Sequence, residues 1–428
     1  MKAAYLITGS GTNFYCSNCH RDRLYVESLK KAGVDIEGVP LYLPPTGVEY
    51  GEEFENPVFF GAVSMYLRDR VKMFEHMPSF MDRILDSPPL LKFASKKASS
   101  TRVEGFEETT LNMIRGDDPN KQKEINRLSE YLSKGRKPDV IHLANALIMG
   151  LASQLKSALG AKIICSLQNE DDWIEGMAEP WKSQAWELIG KESVNIDAFI
   201  SPSQYFKDLV VEKTGIHPGK ISVIPSGLEK TDLENIEHNN TMKAIGFYSR
   251  LSEMNGLDKI IDAFIKVSRS GKVPGLELHL CGGYTADDKP FLKKQLHKIH
   301  EMKLDDRIKV YHGFSGDQRR EFFSAVDIMS VPVNKHDAFG LYLLTANSAG
   351  VPVVQPATGA YPEIVGATGG GIIYEPDSVD KLTETIIELY EKPERISSLG
   401  KKGRLGVGER FSLEKMAERI KAVYESRV

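Results

Sequence analysis

Apolar residues run without a break from Ala3 to Ile7, and a glycine-bearing turn, Gly9-Ser10-Gly11-Thr12, follows at once. An unbroken apolar run of that length is the pattern of a strand buried on both faces. Beyond the turn Tyr25, Leu29 and Ala32 fall on one helical face, Gly33 ends the helix, and a second strand begins near Val34. Strand, turn, helix and strand in that order predict a parallel sheet. The alternation recurs. Asp139–Leu147 and Ala161–Leu167 read as strands with a helix between them, and DAFISPS (from Asp197) and KISVIPSG (from Lys220) read as two more. A polar stretch, Gly227–Thr241, interrupts the rhythm. It restarts with KAIGFYSR and continues through LELHLCGG, IKVYHGF, DIMSVPV, VPVVQP and GGIIYEP. The pattern therefore predicts an α/β protein of two strand-and-helix domains joined near residues 228–241. A last helix runs from Ser412, a fitting N-cap, to about Ser426, with Met416, Ile420 and Val423 on one stripe.

One region departs from this rhythm. From Pro44 to about Arg136 no strand pattern occurs, and FFGAVSMYLRDRV, FMDRILDSPPLLKFASKK and NKQKEINRLSEYLS read as helices inserted into the first domain. The basic run Lys92–Lys97 within it reads as a solvated helix face that could also meet an anionic membrane surface.

Composition narrows the classes. A chain of 428 residues with 41% hydrophobic and 27% charged residues is long enough for full cores and ordinary for a globular protein. The apolar run at the start is too short for a signal segment, so the expected location is cytoplasmic. A formal net charge of −4 gives no general attraction to nucleic acid. Four cysteines are present, and two of them sit in FYCSNCHRDR as Cys16-Ser17-Asn18-Cys19-His20. That spelling fits a haem attachment site, half of a zinc site or a redox dithiol. Cys165 and Cys281 lie in apolar runs and read as small buried hydrophobes rather than the other half of a zinc site. Gly9 and Gly11 begin a dinucleotide fingerprint, but Phe14 stands at the third glycine and no acid closes the second strand, which speaks against NAD. A glycine turn before a helix still presents N–H groups to a phosphate or sugar oxygen.

The densest motif is HDAFGLYLLTANSAGVPVVQPATGAYPEIV, from His336 to Val365. Asp337 precedes a helix whose first turn contains Gly340 and Leu341, where outward N–H groups suit a diphosphate. Gly350 and Pro352 end that helix, a buried strand follows, and the ATGAYPE loop returns Glu363 to the same sheet edge. With these residues the chain resembles the group 1 (family-four) retaining glycosyltransferases of the GT-B fold. IPSGLE (from Ile224), SRLSEMNGLDKIIDAF (from Ser249), HLCGG, GFS (from Gly313), SAVDIMSVP and FSLEKMAERIKAVY fall in that family's order, so the likeness covers nearly the whole chain. Some of its branches also carry a C-x-x-C loop like FYCSNCHRDR, in which Cys16 and Cys19 would pack or line the cleft.

The resemblance implies two Rossmann-like domains facing a cleft. Residues 1–228, with a helical insertion at about 45–136 and completed by the C-terminal helix 409–428, would form the acceptor side. Residues 229–408 would bind the nucleotide sugar. It implies transfer of a sugar from a nucleotide-diphosphate donor to a carbohydrate or glycolipid acceptor with retention, no cofactor or metal ion, no nucleic-acid partner, and a location that is cytoplasmic or at the membrane surface. Arg250 matches an arginine that offsets charge on the leaving diphosphate, and Asp337 matches an acid that contacts the donor sugar. Gly9, Gly11, Gly282, Gly313, Phe339, Gly340 and Leu341 would line the donor site. Tyr15, His142, Gln168, Glu170 and Glu363 would face the acceptor or the cleft. Two positions depart from the pattern: Asn255 stands for a lysine beside Arg250, and Thr345 for a glutamate that binds the ribose. Losing that charge-assisted bond costs about 1.5–3 kcal/mol. The alternative is therefore a catalytically degenerate sugar-nucleotide-binding protein of the same fold.

Overall fold

The computed structural model describes residues 1–8, 15–41, 103–116, 119–134, 136–229, 233, 236 and 243–426. They divide into two compact units, one formed by Met1–Thr12, Asn18–Pro225 and Met416–Val428, the other by Asn13–Ser17 and Ser226–Lys415.

The first unit is built on a six-stranded parallel sheet of β1 (Lys2–Ile7), β2 (Asp35–Pro40), β3 (Val140–Leu143), β4 (Lys162–Ser166), β5 (Ala198–Ser201) and β6 (Ile221–Val223), in the order β2-β1-β3-β4-β5-β6. The run Ala3–Ile7 is buried throughout, as a strand covered on both faces must be. β3 is shorter than the apolar run from Asp139 to Leu147. Asn145 turns extended, its side chain accepts the Leu147 amide at 3.0 Å, and a 3₁₀ turn, Ala146–Ile148, replaces the strand's end. Of the helical insertion, the helices Glu107–Arg115 and Pro119–Leu132 are described, and the rest, with the Lys92–Lys97 run, lies outside the described residues. The last helix, Leu413–Glu425, is capped by Ser412, whose hydroxyl accepts the Lys415 amide at 3.3 Å. From Met416 onward it belongs to the first unit. Met416 and Ile420 are buried there, Tyr424 Oη bonds His142 Nδ1 at 2.7 Å, and Lys162 Nζ donates to the carbonyls of Val423 and Ser426 at 2.7 and 2.6 Å. A lysine on the last carbonyls complements the negative end of the helix.

The second unit has its own six-stranded parallel sheet: β7 (Ala244–Tyr248), β8 (Glu277–Cys281), β9 (Ile308–Tyr311), β10 (Ile328–Met329), β11 (Val353–Pro356) and β12 (Gly371–Tyr374), ordered β12-β11-β10-β7-β8-β9. This is the doubly wound dinucleotide-fold order, with the reversal between β7 and β10. β7 is buried along its whole length, and β10 keeps only two residues of the DIMSVPV run in strand geometry. The helix Leu257–Ser270 buries Leu257, Ile260, Ile261, Phe264 and Val267, the i, i+3, i+4, i+7 face its sequence spells. Among the described residues no helix is long and apolar enough to cross a membrane.

Backbone crowding is tightest beside the β7–β10 reversal. Gly256, at φ +75°, begins the Leu257–Ser270 helix, and a Cβ there would stand 1.8 Å from the Pro332 carbonyl oxygen. Only glycine permits both the left-handed backbone and that approach. Gly256→Ala is expected to destabilise the protein by at least about 2 kcal/mol, read as a lower midpoint in urea with an unchanged slope.

Candidate functional site

At an open parallel sheet's carboxyl edge, loops on either side of a strand-order reversal diverge and leave a crevice. In the second unit β7 delivers Ser249 and Arg250 to that edge, β8 delivers Gly282 and Gly283, β10 leads to Asp337–Leu341, and β11 leads to Thr358–Tyr361. The β7 and β8 ends meet backbone to backbone. Gly282 has φ +144°, a Cβ on it would lie 2.0 Å from the Ser249 carbonyl oxygen, and Leu251 N–H donates to Gly283 O at 2.8 Å.

The Arg250 side chain is held rather than loose. Its Nε and Nη2 donate to Asp288 Oδ2 and Oδ1 at 2.8 and 2.9 Å, and Nη2 reaches Thr285 Oγ1 at 2.9 Å. Asp288 also accepts the Thr285 amide at 2.7 Å, so one carboxylate caps the turn before the Lys289–Glu301 helix and orients the guanidinium. Asn255, in the expected lysine position, donates Nδ2 to the Arg250 carbonyl at 3.0 Å and closes the loop on itself. The Gly313 amide donates to Gln318 Oε1. Tyr15 belongs to this unit: its amide donates to Gly282 O at 2.7 Å, and its ring packs 4.9 Å from Tyr248 and 6.3 Å from Phe314.

Asp337 is the anchor of the opposite rim. Its Oδ1 accepts the amides of Phe339 and Gly340, both at 3.1 Å, and its Oδ2 accepts the hydroxyls of Tyr342 at 3.1 Å and Tyr361 at 3.4 Å. Its carbonyl accepts the Ala360 amide at 3.0 Å, which binds the β10 loop to the β11 loop. Burial raises the Tyr342 hydroxyl far above its ordinary range, with Tyr361 and Asp337 adding to the shift, so it stays a proton donor to the carboxylate. Gly340 caps the helix Leu341–Ser348, whose Leu341 and Tyr342 amides are first-turn donors. Phe339 packs beside Phe411 with ring centroids 6.2 Å apart. Thr345 lies buried within this helix with its hydroxyl turned back to the Leu341 carbonyl at 3.3 Å. Glu363 is half-buried in the first turn of the helix Tyr361–Thr368. A positively polarised helix start and a fixed guanidinium, both on this sheet edge, are the kinds of group that can meet an anion such as a diphosphate.

In the first unit the order reverses between β1 and β3, where Asn145 Nδ2 reaches Thr8 Oγ1 at 3.3 Å. Gly9 and Gly11 lie outside the described residues. Beneath that edge is a buried polar network. Asp22 Oδ1 accepts the Tyr5 hydroxyl at 2.8 Å and the Gln168 side-chain amide. His142, fully buried, is hydrogen-bonded to Tyr424 Oη and, at 2.8 Å, to Ser166 Oγ. Glu170 is buried, its oxygens accepting the amides of Ala146 and Gln168, both at 2.7 Å. Its two carboxylate oxygens thus serve the backbone of the β3 and β4 loops, and burial raises its pKa against those bonds. Arg21 donates Nη1 to Leu167 O at 3.1 Å, while its Nε and Nη2 are buried without a protein acceptor.

Arg21, Asp22, Asp288, Tyr342 and Tyr361 were not singled out by sequence reasoning. The CHRD spelling places an adjacent Arg–Asp pair at a helix start, and TADD follows the Gly282-Gly283 turn; these were the available signals. The pairings themselves join residues far apart in the chain.

The comparisons agree with this architecture. Residues 229–406 match the family described as Glycosyl transferases group 1, and residues 107–231 match Glycosyltransferase Family 4. The chain belongs to the group 1 glycosyltransferases of the GT-B fold. A GDP-mannose-dependent monoacylated alpha-(1-6)-phosphatidylinositol monomannoside mannosyltransferase of Corynebacterium glutamicum is 26% identical over 294 residues, 64% of this chain and 73% of that protein. An MMP alpha-(1->4)-mannosyltransferase of Mycolicibacterium hassiacum is 23% identical over 302 residues, 68% of this chain and 71% of that protein. Among solved structures, sucrose-phosphate synthase from Thermosynechococcus elongatus superposes with a TM-score of 0.70 at 16% identity, covering 99% of this chain and 98% of that one. Anabaena HepE in complex with UDP gives 0.70 at 14% identity over the whole of both chains. At these identities the structures speak for the fold.

The first unit's network carries a pH signature. Burial, with Arg21 adding to it, lowers His142 to about 3, so the unfolded chain binds a proton that the folded one refuses as pH falls below 6.5. Burial raises Asp22 to about 6, so between 6 and the ordinary 3.8 the folded chain holds a proton that the unfolded one releases. The first effect lowers stability on acidification and the second raises it, and they oppose each other between pH 6 and 4. Asp22→Asn removes the second while keeping an acceptor for Tyr5. Its folding constant is expected to fall roughly tenfold more per pH unit than the wild type's over that window, measured by urea titration at each pH.

Proposed function

We propose that this glycosyltransferase moves a mannosyl group from GDP-mannose, with retention at the anomeric carbon and without a resident metal ion, to a carbohydrate or glycolipid acceptor. The observation that carries the reading is the pairing, on one sheet edge, of a guanidinium fixed by Asp288 with the helix start capped by Gly340. Without a metal ion, charge developing on the departing diphosphate has to be met by protein donors, and Arg250 and the Leu341 turn are those donors. The donor base and sugar are read from the names of the two relatives above, both mannosyltransferases and the first of them GDP-mannose-dependent. The acceptor class rests on the same names, which include a phosphatidylinositol monomannoside. A glycolipid acceptor places the reaction at a membrane surface, where a peripheral contact on the cytoplasmic side serves both substrates.

In this reading Asp337 does two things. Its carboxylate sets the conformation of the Asp337–Leu341 loop before the donor arrives, and its edge lies against the sugar. Asn255 contributes loop geometry in place of the second cation, and the donor site relies on Arg250 the more heavily. With Thr345 turned back into its helix, the ribose is held through backbone groups.

A thermal-shift panel of UDP, GDP, ADP and their hexose conjugates tests this directly. Ligand at a hundredfold excess over Kd adds about 2.7 kcal/mol of stability. GDP and GDP-mannose are expected to raise the melting temperature, and Arg250→Ala to weaken binding roughly ten- to a hundredfold, the worth of charged hydrogen bonds. Release of GDP from GDP-mannose, followed by phosphorus NMR, then separates turnover from binding. Binding without release in the presence of inositol phosphates and glycolipid extracts favours the degenerate reading, and a shift with UDP alone reassigns the donor.

A further inference from the structure

Arg21 is a buried cation that the donor chemistry does not use. It is 4% exposed, its Nη1 donates to the Leu167 carbonyl at 3.1 Å, and its Cζ stands 5.7 Å from the centre of the Tyr25 ring. Nε and Nη2, the side-on fork of the guanidinium, are buried with no acceptor among the described residues. We propose that this fork is the receptor for one singly charged oxyanion, a phosphodiester or a carboxylate, carried by the acceptor. The proposal rests on the reading of the chain as a transferase with a carbohydrate or glycolipid acceptor. Arg21, Asp22, His142 and Leu167–Glu170 all belong to the first unit.

What the neighbouring acids do argues for it first. A guanidinium taken out of water is ordinarily matched by a carboxylate, because an unpaired buried charge is costly. Two carboxylates are near enough to feel Arg21: burial raises the pKa of both Asp22 and Glu170, and the guanidinium counters part of each shift. Neither bonds to the fork. Asp22 Oδ1 accepts the Tyr5 hydroxyl and the Gln168 side-chain amide, and the two Glu170 oxygens accept the Ala146 and Gln168 amides. Position is the second support. Leu167 directly follows β4, so its carbonyl ties the guanidinium to the carboxyl edge of the sheet, one strand from the β1–β3 reversal, where ligands of such sheets bind. Just beyond, Asn169 holds a left-handed φ of +55°, and Glu170 bonds back to the Gln168 amide across it. Shape is the third. The N–H groups of a guanidinium fork are parallel donors that match two oxygens of one carboxylate or phosphate.

The charge of the ligand follows from the same neighbours. One guanidinium balances one negative charge. Burial, with Arg21 adding to it, keeps His142 neutral, and Arg23, the next arginine along the helix, is already paired with Glu27 at 3.0 Å. A phosphomonoester, which carries nearly two charges at neutral pH, would meet Asp22 and Glu170 with only Arg21 to offset them. A phosphodiester or a carboxylate brings the single charge that fits. Neither N–H of the fork is open to solvent, so the anion enters with a local opening of the turn after β4, and the low dielectric there strengthens the pair it forms.

The test uses the full chain with isotopically labelled arginine. The Arg21 Nε–H resonance, assigned by its loss in Arg21→Lys or, should that variant not fold, in Arg21→Gln, is followed by NMR as sodium dimethyl phosphate, sodium acetate or sodium methyl phosphate is added. Sodium chloride of the same ionic strength is the control. At about pH 7.5 we expect a saturable shift with dimethyl phosphate or acetate, and binding at least roughly tenfold weaker for methyl phosphate, most of which is then the dianion. The tighter of the first two anions names the source, a phosphodiester such as a lipid headgroup or an acidic sugar. Methyl phosphate binding as tightly as either overturns the single-charge assignment. A resonance that moves no further with any of the three than with chloride overturns the receptor and makes Arg21 a structural cation. Thermal shift with GDP keeps this apart from the donor reading. Arg21→Lys retains the charge and loses the fork, so GDP should stabilise it as it does the wild type, and a GDP response lost in that variant overturns the assignment of Arg21 to the acceptor. A wild type that ignores GDP yet answers dimethyl phosphate or acetate sinks the donor reading and leaves the receptor standing.

Discussion

A parallel sheet has to bring every strand in at one edge and out at the other, so each connection crosses the sheet's face as a helix and all outgoing loops gather at one rim. Where the strand order reverses, neighbouring loops run to opposite faces and part. The rest of the second unit follows from that constraint at β7 and β10. The chain can turn there only because glycine stands where backbones collide: Gly256 beneath the Pro332 carbonyl and Gly282 against Ser249. Those two approaches bring Arg250 and the Leu341 helix start to one rim. The chemistry of the site is thus a consequence of sheet topology, completed by a few hydrogen bonds.

Those bonds are concentrated on two carboxylates. Asp288 fixes the guanidinium of Arg250, and Asp337 gathers two amides and two tyrosine hydroxyls to shape the loop before the helix. A carboxylate with its acceptor sites filled is a rigid joint, and preorganised donors cost no reorganisation when charge develops. The first unit uses the same device below its own reversal. There Asp22, Gln168, Tyr5 and His142 form a buried network that also fastens the last helix through Tyr424. Burial shifts Asp22 upward and His142 downward, so their effects on stability oppose each other between about pH 6 and 4.

The strands were legible because parallel strands covered on both faces spell continuous apolar runs, as Ala3–Ile7 and Ala244–Tyr248 do. The same rule overran at Asp139–Leu147, where the apolar run continues but Asn145 diverts the backbone into a 3₁₀ turn. It also overran at DIMSVPV, where only Ile328 and Met329 pair as strand. The helix start at Leu341 was readable from local signals alone, Asp337 and Gly340 before it and Gly350-Val351-Pro352 after it. What local pattern could not convey was pairing at a distance: Arg250 with Asp288, 38 residues on, and Asp22 with Gln168, 146 residues on. Nor does a pattern reveal that a side chain is already engaged, as Glu170 is with two backbone amides.

In the proposed reading a nucleotide diphosphate sits at the carboxyl edge of the second unit's sheet, at the β7–β10 reversal. Amide hydrogen exchange of the full chain with and without saturating GDP tests it most directly. Slowed exchange is expected only in peptides containing Ser249–Leu251, Gly282–Gly283, Ala338–Tyr342 and Thr358–Tyr361, with roughly ten- to a hundredfold more GDP needed for the same protection in Arg250→Ala. Protection that maps instead to the first unit's sheet edge, or that needs no more GDP in Arg250→Ala than in the wild type, would overturn that placement.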